Sequence, residues 1–493
     1  MHKAIIPLLY VLIFSVSNLF AGNGSKPHYN DKDINHIVSQ LTLEQKARLL
    51  VGCPGSDKGV SHIVAGSAGY TFPIDSLDIP SINLADGPVG VRITPVLPNK
   101  PYTSYCTCFP STTALAATWN KDIARLEGNA IGDEALAYGV DIVLTPGINI
   151  MRNPLCGRNF EYFSEDPYLS GIMGAAMING IQDKGIGASL KHFIANNQQT
   201  GKLYNDARIS QRAIREIYLK GFEICIKNSD PWTVMGSYNK IGGQYTQANP
   251  ELLRTILRNE WNYNGLIVTD WYKKRDTADQ LNGGTDLMMP GEQSQVDEII
   301  TGVKNGRISE TTLNESVKYV LKLISKSISN KGWEYNEAPD LAANAALARR
   351  IATEGMVLLK NDRSFLPISQ GAKIALFGAT AYKSIAGGTG SSNVNKAHIT
   401  DISTGLEKGG YTLSNRLKGL YTKFVEFQND LLDKHPESTD WEKLSYNRTV
   451  IAEMDLSKAE SIIGQEAKNS DIALIVIGRG SGEESDRLSL INI

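Results

Sequence analysis

The sequence predicts an α/β protein in which a (β/α)8 barrel of the TIM type precedes a second α/β domain. Short apolar runs alternate with longer helical patterns up to about residue 330, and this alternation is typical of βα units around a parallel sheet. Several runs end in polar or charged side chains, as at Asp270 after the run 266–268. In a barrel, the carboxyl ends of the strands form the mouth where the functional site lies. A doubly wound sheet is less favoured, because no Gly-x-Gly-x-x-Gly turn follows the first strand.

Residues 1–22 are expected to be a secretory signal peptide. Lys3 precedes an apolar run over 4–20, and Ala21 and Gly22 follow it as small residues suited to cleavage. Two serines and an asparagine interrupt the run, which makes it too short to span a bilayer. We therefore expect an exported protein, periplasmic or extracellular, with no membrane contact after cleavage.

Residues 23–335 are expected to form the barrel. Two helices are predicted over 31–52, and Thr42 with Gln45 three residues later gives the second a capping-box start. Six strand candidates follow: 82–84, 140–144, 188–190, 232–235, 265–268 and 285–288. A barrel needs eight strands; the other two are expected within 59–75 and near 296–325, or else in irregular segments that show no strand pattern.

Residues 336–493 are expected to form the second domain. A helix over 342–359, a buried strand over 373–378, a Lys- and Glu-rich helical region over 415–468 and a strand over 472–477 are predicted. The glycine loop 387–392 lacks the Gly-Lys-Ser/Thr of a phosphate-binding loop and is expected to be a tight turn that faces the cleft. Two strands are too few to close a core, so we expect this domain to be incomplete at its C-terminal end.

Composition argues against several classes of function. The net charge of −2 leaves no basic surplus for a nucleic-acid partner. The seven histidines are scattered, and the spacing of Cys106 and Cys108 is not that of a zinc site, so we expect no metal and no other cofactor. The five cysteines are odd in number and leave one or two disulfides open.

Charged, polar and aromatic side chains are expected to converge at the barrel mouth: Asp86, Arg158, Lys191, His192, Tyr238, Asp270 and Trp271. This mixture suits a neutral polyhydroxylated ligand, because hydroxyls need donors and acceptors together and a sugar's C–H faces stack on aromatic rings. Hydrolysis of a glycoside with retention needs two carboxyls roughly 5–5.5 Å apart. Asp270 fits the nucleophile, since it follows a strand beside basic residues that favour its ionised form. For the proton donor, four glutamates stay open: Glu161, Glu165, Glu483 and Glu484.

Long motifs in one order carry a family resemblance over about residues 39–490. They are the stretches 84–92 (Leu-Ala-Asp-Gly-Pro-Val-Gly-Val-Arg), 153–167, 191–193 (Lys-His-Phe), 235–239 (Met-Gly-Ser-Tyr-Asn), 268–271 (Val-Thr-Asp-Trp) and 481–487. Together they resemble the β-glucosidases of glycoside hydrolase family 3, in their bacterial secreted form.

The resemblance implies a retaining, exo-acting β-glucosidase with an α/β sandwich behind its barrel. Such an enzyme removes terminal non-reducing β-D-glucosyl residues from oligosaccharides or from aryl and alkyl β-glucosides, through a covalent glycosyl-enzyme. Asp270 matches the family's nucleophile and Glu483 its acid/base. Glu484 is the second choice, because it stands where the family's usual Gly-Glu-Gly-x-Asp-Arg loop has a glycine. Seven residues match sugar-binding positions: Asp86, Arg158, Lys191, His192, Met235, Tyr238 and Trp271.

Three alternatives remain beside the β-glucosidase. The N-acetylglucosaminidase branch is disfavoured, because its Lys-His-Phe-Pro-Gly-His-Gly loop reads Lys-His-Phe-Ile-Ala-Asn-Asn over 191–197. A β-xylosidase of the same family is less favoured, since the resemblance places Asp86 at the C4 and C6 hydroxyls of a hexose. The resemblance also implies relatives that continue well past the acid/base loop, so a sugar-binding remnant with impaired catalysis is the alternative from another functional class.

Overall fold

The computed structural model describes residues 28–55, 64–93, 103–271, 275–433, 453–480, 482–484 and 486–487. The expected signal peptide lies outside the described residues. Within these ranges, no helix is both long and apolar enough to cross a bilayer. The five cysteines, all inside the described ranges, are free thiols.

The described residues include fifteen α-helices, two π-helical segments and thirteen strands, besides short 3-10 turns. The helices are α1 (Ile34–Gln40), α2 (Leu43–Leu49), α3 (Thr112–Ala117), α4 (Lys121–Tyr138), α5 (Pro167–Asp183), α6 (Gln211–Ala213), α7 (Lys220–Ser229), α8 (Thr277–Gly283), α9 (Gln293–Lys304), α10 (Glu310–Lys326), α11 (Leu341–Glu354), α12 (Ala379–Tyr382), α13 (Ile402–Lys408), α14 (Asn415–Asp433) and α15 (Glu460–Lys468). The π-helical segments are Ile214–Tyr218 and Glu251–Glu260. The strands are β1 (Cys53–Pro54), β2 (Gly69–Tyr70), β3 (Asn83–Asp86), β4 (Ile142–Leu144), β5 (Gly187–Phe193), β6 (Asp206–Ala207), β7 (Thr233–Gly236), β8 (Lys240–Ile241), β9 (Gln244–Tyr245), β10 (Leu266–Val268), β11 (Lys373–Phe377), β12 (Thr412–Leu413) and β13 (Ile472–Ile475).

The two N-terminal helices form as their sequence predicts. Thr42 Oγ1 accepts the Gln45 backbone N–H at 3.2 Å, and Gln45 Oε1 accepts the Thr42 N–H at 2.9 Å. This reciprocal pair satisfies two of the N–H groups that a helix start leaves without partners. The capping box predicted for α2 is therefore confirmed.

A curled sheet forms the centre of the first domain, with strands in the order β1-β2-β3-β4-β5-β7-β10. Two bridges close it into a ring: Val268 pairs with Leu287, and Met288 pairs with Val51 just before β1. Counting the segment 287–288 as a strand, the ring has eight strands, and the predicted barrel is confirmed. One strand departs from the all-parallel pattern of a regular barrel: β2 runs antiparallel to both of its neighbours. The connection from β2 to β3 contains only a 3-10 turn, whereas a parallel pairing needs a long crossover.

The strand expected within 59–75 is confirmed as β2, but the one expected near 296–325 is wrong. That region forms α9 and α10, and its apolar side chains have helical spacing, with Leu313, Val317, Val320 and Ile324 buried on one face of α10. The remaining barrel strand is the short stretch 51–54. It follows α2 almost directly, so no loop in the sequence separates it from the helix and it was not recognised as a strand.

Successive residues of the parallel strands pack into two different cores. Leu84, Ile142 and Val268 lie in the core that also holds residues of α1, α2, α9 and α10. Their neighbours Ala85 and Val143 lie in the core between the sheet and helices α4, α5 and α7. Burial on both faces explains why these strands read as continuous apolar runs rather than as alternating ones.

The second domain has a parallel three-stranded sheet in the order β12-β11-β13. Strands β11 and β13 were predicted, whereas the two-residue β12 gave no apolar run to recognise. The predicted helix over 342–359 ends at Glu354 as α11, which packs against α3 and α4 of the barrel domain. The domain boundary between residues 335 and 336 stays a prediction.

Candidate active site

A cavity of about 1020 Å³ lies at the carboxyl ends of the barrel strands and is closed on one side by the second domain. The structure brings every residue assigned to the site from the sequence into its lining: Asp86, Arg158, Lys191, His192, Met235, Tyr238, Asp270, Trp271, Glu483 and Glu484. The roles of these residues stay predictions. Among the side chains that the structure describes, no group of three or more His, Cys, Asp or Glu is arranged to hold a metal ion.

Asp270 follows β10 and is almost fully buried. Its Oδ1 accepts the backbone N–H of Trp271 at 2.8 Å, while Oδ2 lies 3.8 Å from His192 Nε2. Oδ2 accepts no hydrogen bond from the described residues. Burial raises the pKa of Asp270 to about 6, although Arg158, Lys202 and Lys191 oppose this rise. A pKa of about 6 favours the ionised carboxylate at neutral pH, and Oδ2 is the oxygen without a hydrogen bond.

Lys191 and His192 come from the end of β5, where the ladder with β7 is irregular between Leu190 and Phe193. Adjacent residues of a regular strand point to opposite faces, but here both side chains line the cavity. His192 Nδ1 lies 3.2 Å from the Tyr162 hydroxyl. Burial, Arg158 and Lys191 together lower the pKa of His192 well below its ordinary value, so its imidazole is neutral.

Asp86 ends β3 and pairs with Arg92, whose Nη1 lies 3.1 Å from Asp86 Oδ2. Burial raises the pKa of Asp86, against the opposing charges of Arg92 and Lys191. Arg92 lines the cavity but was not among the predicted site residues. The signal was available, since Arg92 closes the motif over 84–92.

Arg158 and Glu161 form a buried, two-fold hydrogen-bonded ion pair. Arg158 Nη2 donates to Glu161 Oε2 at 3.0 Å, and Nε donates to Oε1. Both Glu161 oxygens are engaged in this way, so Glu161 is the counter-ion of Arg158 rather than a free proton donor. Glu165, the other candidate in the same motif, is exposed and does not line the cavity.

Glu483 reaches the cavity from the second domain. Its Oε1 lies 3.2 Å from Arg158 Nη1 and 2.9 Å from Lys202 Nζ, and its Oε2 lies 3.3 Å from Ser391 Oγ. Burial alone would raise the pKa of Glu483, but Arg158 and Lys202 outweigh it and hold this pKa well below its ordinary value. Glu484 contacts Lys202 and is more exposed.

Asp486 fastens the Glu483 loop to the barrel domain. Its Oδ1 accepts the backbone N–H groups of Gly157 at 3.1 Å and Gln199 at 2.9 Å, and its Oδ2 accepts that of Thr200 at 2.9 Å. The backbone N–H of Arg487 donates to the Leu155 carbonyl at 2.8 Å. The position of Glu483 therefore depends on two loops of the other domain.

The glycine loop 387–392 faces the cleft, as predicted, and contacts the Glu483 loop. Gly390 has a φ of +64°, and a Cβ added there would lie 2.6 Å from Glu483 Oε2. A larger residue would therefore displace the carboxylate.

Three residues of this arrangement were missed in the sequence: Lys202, Ser391 and Asp486. Asp486 stands in the Asp-Arg pair of the quoted acid/base motif, so its signal was present. Lys202 lies in a turn and Ser391 in a 3-10 turn of the glycine loop 387–392, and neither segment has a periodicity that indicates what a side chain contacts.

Comparison with known proteins gives matches over most of the chain. Residues 101–323 match the glycosyl hydrolase family 3 N-terminal domain, and residues 356–492 match the family 3 C-terminal domain. Thermostable beta-glucosidase B of Acetivibrio thermocellus is 40% identical over 410 residues, which are 82% of this chain and 51% of the relative. An exo-alpha-(1->6)-L-arabinopyranosidase of Bifidobacterium longum is 37% identical over 467 residues, covering 91% of this chain and 55% of the relative.

A solved structure shares the fold. Beta-glucosidase 3B of Thermotoga neapolitana, in complex with glucose, superposes with a TM-score of 0.85 at 41% identity, covering 92% of this chain and 64% of that chain. The chain spans about half the length of the curated relatives it matches.

Proposed function

Because the chain belongs to glycosyl hydrolase family 3, we propose that it is a retaining, exo-acting β-glucosidase. The observation that carries the proposal is the pair of carboxylates that line one cavity from two domains: Asp270, whose Oδ2 accepts no hydrogen bond, and Glu483, which contacts Arg158 and Lys202. Retaining hydrolysis needs such a pair, with one nucleophile and one acid/base.

In the first step, Asp270 Oδ2 forms a bond to the anomeric carbon while the bond to the leaving oxygen breaks. Glu483 gives its proton to that oxygen, and the released product is an alcohol. In the second step a water molecule attacks the same carbon, Glu483 takes the water's proton, and the bond to Asp270 breaks. The enzyme returns to its starting state and the sugar leaves with its original anomeric configuration.

Side chains around the nucleophile would hold the sugar. The neutral His192, the buried Lys191 and Asp86 offer donors and acceptors for hydroxyls, and Trp271 offers an aromatic face. Asp270 carries the charge that stabilises an oxocarbenium-like transition state. The nearby cations keep that carboxylate ionised despite its burial.

The substrate proposal is a β-glucoside, supported by the beta-glucosidase relatives and by the resemblance that places Asp86 at the C4 and C6 hydroxyls. A pentopyranoside is the second candidate, because the Bifidobacterium longum relative is an arabinopyranosidase; the β-xylosidase alternative falls in this class. A sugar-binding protein without turnover is the candidate from outside the enzymes.

We also propose that the protein is exported to the periplasm or the extracellular space. The support is the charged, apolar and small-residue pattern of residues 1–22. N-terminal sequencing of the protein recovered from cell fractions tests this: a start near residue 23 outside the cytoplasm is expected, and an uncleaved cytoplasmic protein would contradict it.

The function is tested by hydrolysis of aryl β-glucoside, β-xyloside and α-L-arabinopyranoside. We expect the glucoside to be cleaved fastest, Asp270→Ala to abolish turnover, and azide to restore turnover of Glu483→Ala by taking the place of the water. Sugar binding without turnover would support the sugar-binding alternative. Turnover that survives Asp270→Ala would refute the mechanism.

A further inference from the structure

Glu484 has an unfavourable backbone conformation next to the proposed proton donor. Its φ is +76°, in the left-handed region that favours glycine. Its side chain is 36% exposed, against 13% for Glu483. Strained residues cluster at functional sites, where a contact compensates for the strain. The contact here is an ion pair, with Glu484 Oε1 2.6 Å from Lys202 Nζ.

Lys202 is shared between two carboxylates. Its Nζ lies 2.9 Å from Glu483 Oε1 as well as 2.6 Å from Glu484 Oε1, and 4.7 Å from the centre of the Tyr238 ring. The side chain is almost fully buried. The ammonium therefore contacts both glutamates at the same time, with the shorter distance to Glu484.

The charges that face Glu483 do not favour a proton on it. The cations are Arg158, Lys191 and Lys202, and the carboxylates are Asp86, Asp270 and Glu484. Arg158 is already paired twice with Glu161. Lys202 is then the cation whose hold on Glu483 can be changed, since hydrogen bonds to a charged carboxylate stabilise its ionised form.

We propose that Glu484 is a positioning residue that draws the Lys202 ammonium away from Glu483 when a glucoside fills the cavity, so that Glu483 can carry the proton it gives to the leaving group. This rests on the proposed function. Lys202 stays protonated throughout, so the proton that reaches the leaving oxygen is the one on Glu483, and the attacking water replaces it. The negative charge of Glu484 acts in the same direction, because a like charge nearby favours the protonated form of Glu483.

Leaving-group dependence tests the proposal. In Glu484→Gln, kcat/KM for methyl β-glucoside should fall about tenfold, a modest part of what proton transfer contributes. For 2,4-dinitrophenyl β-glucoside, whose leaving group departs without a proton, it should stay close to that of the unaltered protein. Glu484→Gly relieves the positive φ and should show the same selective loss, which separates the effect from a folding defect.

A second variant removes the cation as well. In Lys202→Gln combined with Glu484→Gln, kcat/KM for methyl β-glucoside should recover relative to Glu484→Gln alone, because no ammonium remains to hold Glu483 ionised. An equal loss on both substrates, or the absence of recovery in the double variant, would overturn the inference and leave the proposed function intact. An unaltered protein that cleaves neither substrate would overturn the proposed function and this inference with it.

Discussion

The two sides of the cavity hold their carboxylates by different means. On the barrel side, Asp270 follows directly from a strand that is paired on both sides, and one backbone N–H of its own loop orients it. On the other side, Glu483 lies in a loop whose described contacts run mainly to the barrel domain, through Asp486, Arg158 and Lys202. One position is local and the other is assembled across domains.

The electrostatics of the two sides are opposite as well. Burial raises the pKa of Asp270, whereas Arg158 and Lys202 overcome burial and lower that of Glu483. The ionised nucleophile is thus a cost to folding, and the ionised Glu483 contributes to stability. The proposed retaining pair thus combines one carboxylate whose ionised form is poorly stabilised with one whose ionised form is strongly stabilised, and the same cations act on both.

The largest effect is expected when Arg158, which contacts Glu483, loses its ion-pair partner Glu161 in the barrel domain. Glu161→Gln leaves the buried Arg158 without its two-fold ion pair, and we expect a loss of roughly 3–5 kcal/mol in the free energy of unfolding. Urea denaturation measures it. Glu165→Gln makes the same chemical change at an exposed position of the same motif and should leave stability unchanged. Equal stability of the two variants would contradict the role of Glu161.

The second largest effect is expected when the loop that carries Glu483 loses its hydrogen bonds to the barrel domain. Asp486→Ala removes the acceptor for three backbone N–H groups of the barrel domain, and we expect kcat/KM for an aryl β-glucoside to fall about 100-fold, as for a misplaced catalytic group. Asp486→Asn keeps one acceptor oxygen and should lose less. If Glu483 were held by contacts within its own domain instead, kcat/KM of both variants would stay close to that of the unaltered protein.

Opposite stability shifts are expected from neutralising the two carboxylates. The folded-state pKa of Asp270, about 6, lies above the ordinary 3.8, so its destabilising effect grows as pH rises from about 4 to 6 and is complete above 6. Asp270→Asn should therefore gain up to roughly 3 kcal/mol at pH 7 and nothing below pH 4. Glu483→Gln should lose stability at pH 7, since a depressed pKa stabilises the fold above the ordinary pKa. Thermal unfolding at both pH values measures the shifts, and shifts of one sign would contradict the comparison.

The smallest effect concerns a contact inside the second domain. Ser391→Ala removes the hydroxyl that lies 3.3 Å from Glu483 Oε2, and we expect about a fivefold loss in kcat/KM, equivalent to about 1 kcal/mol. Ser391→Thr keeps the hydroxyl and should recover most of it. A loss as large as that of Asp486→Ala would mean that Glu483 is positioned from its own domain after all.

The barrel, the second α/β domain and the set of side chains at the barrel mouth could all be predicted from the order of residues along the chain. Strands buried on both faces read as apolar runs, and the residue after each run must reach the same edge of the sheet. Asp86, Lys191 and Asp270 are therefore placed together by the pattern of the chain alone. Arg158 and Glu483 lie in loops and follow no period; the quoted motifs gave Arg158 a sugar-binding position and selected Glu483 from the four candidate donors.

Features that depend on contacts between distant segments of the chain could not be predicted in this way and are seen only in the folded protein. The antiparallel direction of β2 follows from a β2–β3 connection that is too short for a crossover. The strand at 51–54 is defined by the pairing of Val51 with Met288. Glu161 was a candidate donor in the sequence, but its double pairing with Arg158 occupies both of its oxygens. The sharing of Lys202 between Glu483 and Glu484 arises because loops from two domains meet. Chain periodicity records which face of an element is buried, but not which charge lies opposite a given carboxylate.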